Sequence, residues 1–149
     1  APPPTLAVPA PPQLPPEARE ATPEGAAAFV RHFFQLVNYA YATGDTEPLR
    51  RASHSDCETC ASVVDQVEQR YSTGGRISGG EISVVSAQAG PIDDVGISLV
   101  TTAYDQAPLT ELDADGNVVT TGSGEDDSVI AFYAEFAGDE WRAFGITDE

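Results

Sequence analysis

The chain has 149 residues, which is enough for one domain with a single core and too few for two ordinary domains. Its 24 acidic residues outnumber seven basic ones, all arginine, and the formal net charge is -17 at pH 7. Such a chain repels nucleic-acid phosphates and anionic lipid headgroups, so we expect no nucleic-acid partner. No stretch approaches the roughly 18 apolar residues that a membrane span needs, which argues against direct insertion.

The N-terminal stretch differs in composition from the rest of the chain. Nine of the twelve prolines fall within the first 23 residues, and large apolar side chains are scarce there. Residues 1–21 are therefore predicted to form a Pro-rich, disordered polyproline II tether, with one domain over residues 22–149. At about 3.1 Å per residue the tether would reach roughly 60 Å. Because the sequence contains no methionine, we expect Ala1 to follow a segment that has been removed.

Three helices are predicted in the first half of the chain. Thr22 is a suitable N-cap for the first, and apolar residues then recur every three or four positions until Gly44, which is suited to end a helix. A short second helix is predicted over residues 45–52. Ser55 and Glu58 have the spacing of a capping box, which predicts the start of the third helix.

From Ile77 onward the apolar period changes to two, which predicts strands. Four half-buried strands are indicated near residues 82–84, 95–99, 130–136 and 141–146. The connections within each pair of strands are short, as in antiparallel hairpins. Residues 106–127 are polar and contain the turn signal Asp115-Gly116, so we expect a protruding hairpin or a mobile loop there.

The order of these elements predicts an α+β fold, because the helices precede a run of antiparallel strands. We expect three N-terminal helices packed on a curved four-stranded antiparallel sheet, an arrangement described as a cone fold. The interior of such a cone is the first place to look for a ligand.

The two cysteines are three positions apart at the predicted start of the third helix. Cys57 and Cys60 can form a disulfide or act as a redox pair, since the helix dipole lowers the pKa of the first thiol. A redox pair favours neighbouring positive charge, whereas the flanking residues here are Asp56 and Glu58. A structural disulfide is the favoured interpretation, and a thiol oxidoreductase remains the alternative.

Metal sites have weaker support. His32 and His54 together with the cysteines would make a zinc set, but both histidines precede the cysteines instead of following them. The segment 113–117 is similar to a calcium loop, although Gly116 stands at its fourth position instead of the sixth. We therefore predict no metal site and no cofactor.

No nucleophile motif, phosphate-binding loop or dinucleotide-binding motif occurs, so no catalytic residue is assigned. Several side chains are candidates to line a pocket inside the cone as hydrogen-bond donors or packing residues. They are Tyr39, Tyr41, Tyr104, Tyr133 and Trp141, with Asp65 as a candidate carboxylate. An isomerase- or dehydratase-like enzyme that uses a carboxylate and tyrosines therefore remains an alternative to a binding domain.

The stretch from Phe29 to Cys60 reads FVRHFFQLVNYAYATGD, then PLRRA, then Cys-x-x-Cys. It resembles an uncharacterised family of secreted lipoprotein domains from high-GC Gram-positive bacteria. Residues 22–147 are similar to the nuclear-transport-factor-2-like (cystatin-like) cone superfamily, whose last two strands resemble the hairpin 129–146. Ketosteroid isomerases and polyketide cyclases share that fold, but no motif here matches their catalytic residues, so the resemblance implies no reaction.

The lipoprotein resemblance also implies a location. An acylated cysteine upstream of Ala1 would anchor the tether at the outer face of the cytoplasmic membrane, where the cysteine pair meets an oxidising environment. The sequence thus predicts a non-catalytic, extracytoplasmic binding or interaction domain associated with the cell envelope. Its expected partner is a small molecule or an envelope protein, and we expect a monomer or a weak dimer.

Overall fold

The computed structural model of the protein describes residues 10–148; the part of the predicted tether at residues 1–9 lies outside them. A short 3-10 helix (Pro16–Arg19) precedes three α-helices, which are α1 (Pro23–Thr43), α2 (Glu47–Arg51) and α3 (Glu58–Ser72). The strands are β1 (Arg76–Gly79), β2 (Ile82–Ala89), β3 (Ile97–Gln106), β4 (Leu109–Leu112), β5 (Val118–Gly122), β6 (Glu125–Ala137) and β7 (Glu140–Asp148).

Helix α1 begins and ends where the sequence predicts. The hydroxyl of Thr22 accepts the backbone N–H of Gly25 at 3.0 Å, which satisfies one of the free donors of the first turn. Gly44 adopts a left-handed φ of 81° and donates its N–H to the carbonyl of Ala40. A Cβ at Gly44 would lie 2.6 Å from the ring of Tyr71, so this glycine also allows α1 and α3 to approach each other.

Helix α3 starts at a different cap from the predicted one. Its N-cap is Cys57, whose Sγ accepts the backbone N–H of Cys60 at 3.2 Å. The predicted capping box of Ser55 and Glu58 is therefore wrong. The reason is that a cysteine sulfur holds the capping position two residues later, and Ser55 lies exposed in the preceding turn.

The prediction of a single four-stranded sheet is also wrong. All four predicted strands form and make one antiparallel sheet in the order β2-β3-β6-β7, but a second sheet of three strands has the order β1-β4-β5. Its outer strand β5 is exposed at every position. Strands β4 and β5 pair as an antiparallel hairpin that is closed by a bond from the N–H of Asp113 to the carbonyl of Asn117, so the hairpin alternative for residues 106–127 is confirmed. Because β5 buries neither face, it has no alternation of apolar and polar side chains that would indicate a second sheet.

The core lies between α1 and the inner face of the four-stranded sheet. Phe132 of β6 is fully buried and meets the rings of Phe29, Phe33 and Phe34 edge-to-face, with centroids 6.2, 5.2 and 5.9 Å away. Aromatic pairs in this geometry add to the free energy gained by burial. One α1 face and one strand thus form the centre of the domain.

Polar contacts hold both edges of the four-stranded sheet. At the β2 edge, the side-chain amide of Asn38 donates to the carbonyl of Ile82 and accepts its N–H, at 2.9 and 2.8 Å. At the β7 edge, His54 donates its N–H to the carbonyl of Ala143 at 2.8 Å, and Ala143 donates to Ala52 at 2.7 Å. The helical layer is therefore attached to the sheet along both sides.

The residues just before α1 lie against the domain. Ala18 is buried, and Leu14 packs on the edge of the core. The indole N–H of Trp141 donates to the carbonyl of Glu20 at 2.8 Å. Packed contacts thus reach N-terminal to residue 22, the predicted domain boundary. Across residues 10–148, no helix is long and apolar enough to cross a bilayer.

Candidate functional site

A pocket of about 440 Å³ opens between α1, α3 and the inner face of the four-stranded sheet; we refer to it as the helix–sheet pocket. Its floor is apolar and consists mainly of Phe33, Phe34 and Val37 from α1, with Ile130 from β6. These side chains belong to the core, which fixes their positions. The volume falls within the range of about 300–1,000 Å³ that is usual for small-molecule sites.

The rim of the pocket is polar because the strands end there. Gln106 lies at the end of β3 and Asp148 at the end of β7, while Thr59 comes from the first turn of α3. The hydroxyl of Thr59 is already engaged, since it donates to the carbonyl of Ile146 at 3.0 Å. The pocket therefore combines an apolar interior with a few polar groups at its mouth.

Two of the candidate tyrosines, Tyr41 and Tyr104, lie in this pocket. The Tyr104 hydroxyl donates to the carboxylate of Glu125 at 2.7 Å, and its ring is stacked on Phe34. Burial, reinforced by Glu125, raises the pKa of Tyr104 to about 12. Burial also raises the pKa of Tyr41, although Gln106 opposes the shift. Both hydroxyls consequently stay protonated at neutral pH.

One member of the cysteine pair, Cys60, forms part of the pocket wall. The sulfur atoms of Cys57 and Cys60 are 2.10 Å apart, the separation of a disulfide. Both residues are buried, at 1% and 2% exposure, and Cys60 contacts the pocket. The bond thus lies at the start of α3, next to the Thr59 contact with β7, and it supports the wall between helix and sheet.

The other candidate residues lie elsewhere. Tyr39 donates its hydroxyl to Asp45 at 3.2 Å beside the end of α1. Tyr133 points to the outer face of the four-stranded sheet, because the alternate residues Phe132 and Ala134 face the core. Asp65 is exposed beside the disulfide, on the side away from the pocket. The structure therefore does not bring these three side chains together with Tyr41 and Tyr104.

Trp141 lies in a separate cavity, which we call the arginine groove. This groove of about 820 Å³ runs between the segment N-terminal to α1, one face of α1 and the turn between β6 and β7. The arginines that define it are Arg19, Arg51 and Arg142. Sequence reasoning missed it because its wall includes residues 11–19, which the sequence assigned to the tether.

The candidate metal ligands do not form a site. Within residues 10–148, no three His, Cys, Asp or Glu side chains are close enough to hold a metal ion. Cys57 and Cys60 are bonded to each other, so neither provides a thiolate. In the loop resembling a calcium site, the Asp113 carboxylate accepts the backbone N–H groups of Asp115 and Asn117, each at 2.9 Å. The bond from Asn117 lowers the pKa of Asp113, and the carboxylate closes a turn.

The fold and its pocket define an α+β domain of two antiparallel sheets with a cavity the size of a small ligand. A model of the family of unknown function DUF6318 matches residues 4–146, and the chain belongs to that family. No curated protein matches the chain. The expectation of an uncharacterised family is thus confirmed, while the lipoprotein anchor and the cone superfamily stay predictions.

Proposed function

We propose that this protein is a non-catalytic, extracytoplasmic binding domain. Its helix–sheet pocket would take a small, largely apolar molecule that carries one or two hydrogen-bonding groups. The observation that carries the proposal is the ligand-sized cavity with an aromatic floor and a polar rim. In the full-length protein, the Pro-rich N-terminal segment would hold the domain near the cell envelope through a lipid anchor upstream of Ala1.

The chemistry of the pocket favours an apolar ligand. Transfer of each CH₂ group from water to such a floor contributes about 0.8 kcal/mol, so the interior selects by size and apolarity. The rim offers few free hydrogen-bonding groups, because the Tyr104 hydroxyl is bonded to Glu125, the Thr59 hydroxyl to Ile146 and the side-chain N–H of Gln106 to Gly80. The carboxylate of Asp148 then provides the main polar contact that would orient the bound molecule.

The same groups are poorly arranged for acid–base catalysis. A general base should have a pKa near the working pH, whereas Tyr104 has its pKa raised to about 12 by burial and by Glu125. Among the described residues that line the pocket, Asp148 alone carries a carboxylate. An isomerase- or dehydratase-like enzyme would therefore depend on Asp148, which makes the enzyme alternative easy to test.

The disulfide supports a structural role over a redox role. Thiol–disulfide exchange requires a thiolate to reach one of the sulfur atoms. Cys57 and Cys60 are almost completely buried, and the flanking side chains Asp56 and Glu58 would repel an approaching thiolate. If the protein lies in an oxidising compartment, as proposed, the disulfide would stay formed.

Binding of the neutral fluorescent dye N-phenyl-1-naphthylamine to the purified protein tests the pocket. We expect a saturable rise in dye emission with a stoichiometry of about one, because the pocket excludes water from an aromatic surface. Val63→Phe places a ring at the pocket wall and should abolish the signal. Ser62→Phe adds the same ring at the adjacent exposed position of α3 and should preserve it. Equal binding by both variants, or no saturable binding by the unmodified protein, would refute the proposal that this pocket binds a ligand.

Asp148→Asn separates binding from catalysis. The substitution keeps the size of the side chain while removing a base, so a binding domain should retain dye affinity within about threefold. Turnover of a ketone, epoxide or polyketide substrate that disappears in Asp148→Asn would overturn the non-catalytic assignment.

The envelope location is tested independently with the full-length protein. Expressed in a Gram-positive host, it should partition into the detergent phase of Triton X-114 extracts, and protease added to intact cells should release a soluble domain. Recovery in the aqueous phase, or protection from the protease, would refute the lipid tether without affecting the pocket.

A further inference from the structure

The arginine groove collects positive charge on a strongly acidic protein. Arg19, Arg51 and Arg142 are three of the seven basic residues in a chain of net charge -17, and all three line this one cavity. The acidic side chains that line it are Asp139 and Glu140. Glu47, which pairs with Arg51, adds a third carboxylate beside these arginines. The groove is therefore close to neutral, whereas the molecule as a whole is strongly negative.

The guanidinium groups are only loosely engaged within the protein. Arg142 lies 3.2 Å from the carboxylate of Glu140, and Arg51 lies 3.6 Å from that of Glu47, both in exposed pairs. Such pairs are weak because solvent screens them and the side chains keep their freedom. Arg19 makes no ion pair with any described residue. All three groups can therefore turn toward an incoming anion.

Beneath the arginines lies a buried histidine. His32 of α1 lines the groove and is only 7% exposed. Its Nδ1 has no hydrogen-bond partner among the described residues, and burial lowers the pKa of the ring. An unpaired buried polar atom costs stability, and native proteins rarely retain one without a purpose such as a ligand or an ordered water.

The remaining wall of the groove is apolar. Phe29 and Leu36 lie about one turn before and one turn after His32 on the same face of α1, and Trp141 closes the opposite side. The indole N–H of Trp141 is already bonded to the carbonyl of Glu20. The small part of this side chain that reaches the groove, which is 4% exposed overall, is therefore apolar.

We propose that the arginine groove binds a small organic anion, consisting of an apolar body that carries a carboxylate or phosphate group. The apolar body would contact Trp141 and Phe29, while the guanidinium groups of Arg51 and Arg142 would hold the oxygen atoms. Guanidinium forks match both carboxylate and phosphate geometry. An oxygen atom of the ligand would be the missing hydrogen-bond partner of Nδ1 of His32. This site is distinct from the helix–sheet pocket in position and in ligand charge.

The test uses the indole N–H signal of Trp141 in a nitrogen–proton NMR spectrum, which is unambiguous because the chain has one tryptophan. The probes are phenyl phosphate and phenylacetate, with benzyl alcohol and inorganic phosphate as matched controls. We expect saturable shifts with both organic anions and at least tenfold weaker binding of the two controls. Equal affinity for benzyl alcohol would overturn the proposal, because the arginines would then contribute nothing.

Variants assign the binding to named groups. Arg51→Gln with Arg142→Gln should weaken phenyl phosphate binding at least tenfold, whereas Arg76→Gln, which removes an exposed arginine outside the groove, should leave it within twofold. His32→Phe should weaken binding while the protein stays folded, since the new ring fills the same space without an unpaired nitrogen. Unchanged binding in His32→Phe, or equal losses in the double variant and Arg76→Gln, would refute the assignment. Val63→Phe should leave these shifts intact, which keeps this test separate from that of the pocket.

Discussion

The helix–sheet pocket and the arginine groove lie on either side of the same aromatic cluster, yet they offer opposite chemistry. In the pocket, the polar groups of Tyr104 and Thr59 are already bonded to the protein, so what remains for a ligand is mostly apolar surface. In the groove, the Nδ1 atom of His32 has no hydrogen-bond partner within residues 10–148, and Arg51 and Arg142 are held only by exposed ion pairs. The two sites thus differ less in size than in how many of their polar groups already have a hydrogen-bond partner within the protein.

The largest effect is expected from Phe132→Ala, because this ring joins the two regions through Phe29, Phe33 and Phe34. Loss of a fully buried aromatic ring should lower the free energy of unfolding by about 3–5 kcal/mol and weaken binding at both sites. Urea unfolding and the two binding assays measure this. The exposed Val129→Ala on the same strand should change stability by less than about 0.5 kcal/mol. Loss at one site alone would show that the regions do not share a core.

Removal of the disulfide should affect the pocket alone. Cys57→Ser combined with Cys60→Ala breaks the bond while keeping a capping oxygen for α3, and the small closed loop predicts a loss of about 2 kcal/mol in unfolding free energy. Dye affinity should fall because the pocket wall loosens, while the Trp141 shifts with phenyl phosphate should not change. Chemical reduction of the unmodified protein is the matched control. Equal losses at both sites would contradict a local role.

Trp141→Phe should affect the groove alone. It removes the indole N–H that bonds to Glu20, which predicts a loss of about 1 kcal/mol in unfolding free energy. The space that the smaller ring leaves in the core adds to this loss. The segment before α1 should then open more often, and amide hydrogen exchange at Ala18 and Glu20 should accelerate. Phe144→Leu on the same strand provides the control and should leave that exchange unchanged. Faster exchange in both variants would indicate general destabilisation.

The smallest effect is expected at Glu68, which belongs to neither region. A hydrogen bond from Thr46, together with Arg50, lowers the pKa of Glu68 below its ordinary value of 4.5. Its contribution to stability is therefore present above pH 4.5 and is lost as the pH falls through the lowered folded-state pKa. Since the side chain is exposed, the contribution is small. The stability difference between the unmodified protein and Glu68→Gln should shrink from pH 7 to pH 3. A difference that grows over this range would contradict a lowered pKa for Glu68.

The helices and the main sheet were predictable because their signals are local. Thr22 and Gly44 mark the ends of α1, and the period of two marks the strands that hold Phe132 and Trp141. In the second sheet, the hairpin of β4 and β5 has a local turn signal at Asp115-Gly116, but its pairing with β1 has no local signal. A strand such as β5 that buries neither face has no apolar pattern, and it is defined only by its pairing with β4.

The candidate site was predictable only in part. Tyr41 and Tyr104 share a pocket because α1 crosses the sheet at the end of β3, a juxtaposition that no local pattern encodes. Residue type alone suggests that Tyr133 and Trp141 join them. Tyr133 instead faces the outer side of the sheet, and Trp141 lies in the arginine groove. The sequence allows His32 to be a residue on the helix surface or at a pocket rim, or a metal ligand. Its significance comes from burial and from a missing hydrogen bond, which depend on the packing of residues 11–19 against α1.

The two sheets differ in whether the free edge of their last strand is covered by other parts of the chain. The backbone of Ala52 and His54 takes up hydrogen bonds that β7 would otherwise offer to another chain. Strand β5 is the last in its sheet and exposes Val118 and Val119; such an edge can recruit strands from other copies.

At neutral pH the charge of -17 keeps copies apart. Near the isoelectric point of about 4.1 that repulsion vanishes. The colloidal stability of this protein therefore depends on its ionised carboxylates, and mild acid is the condition under which it should aggregate.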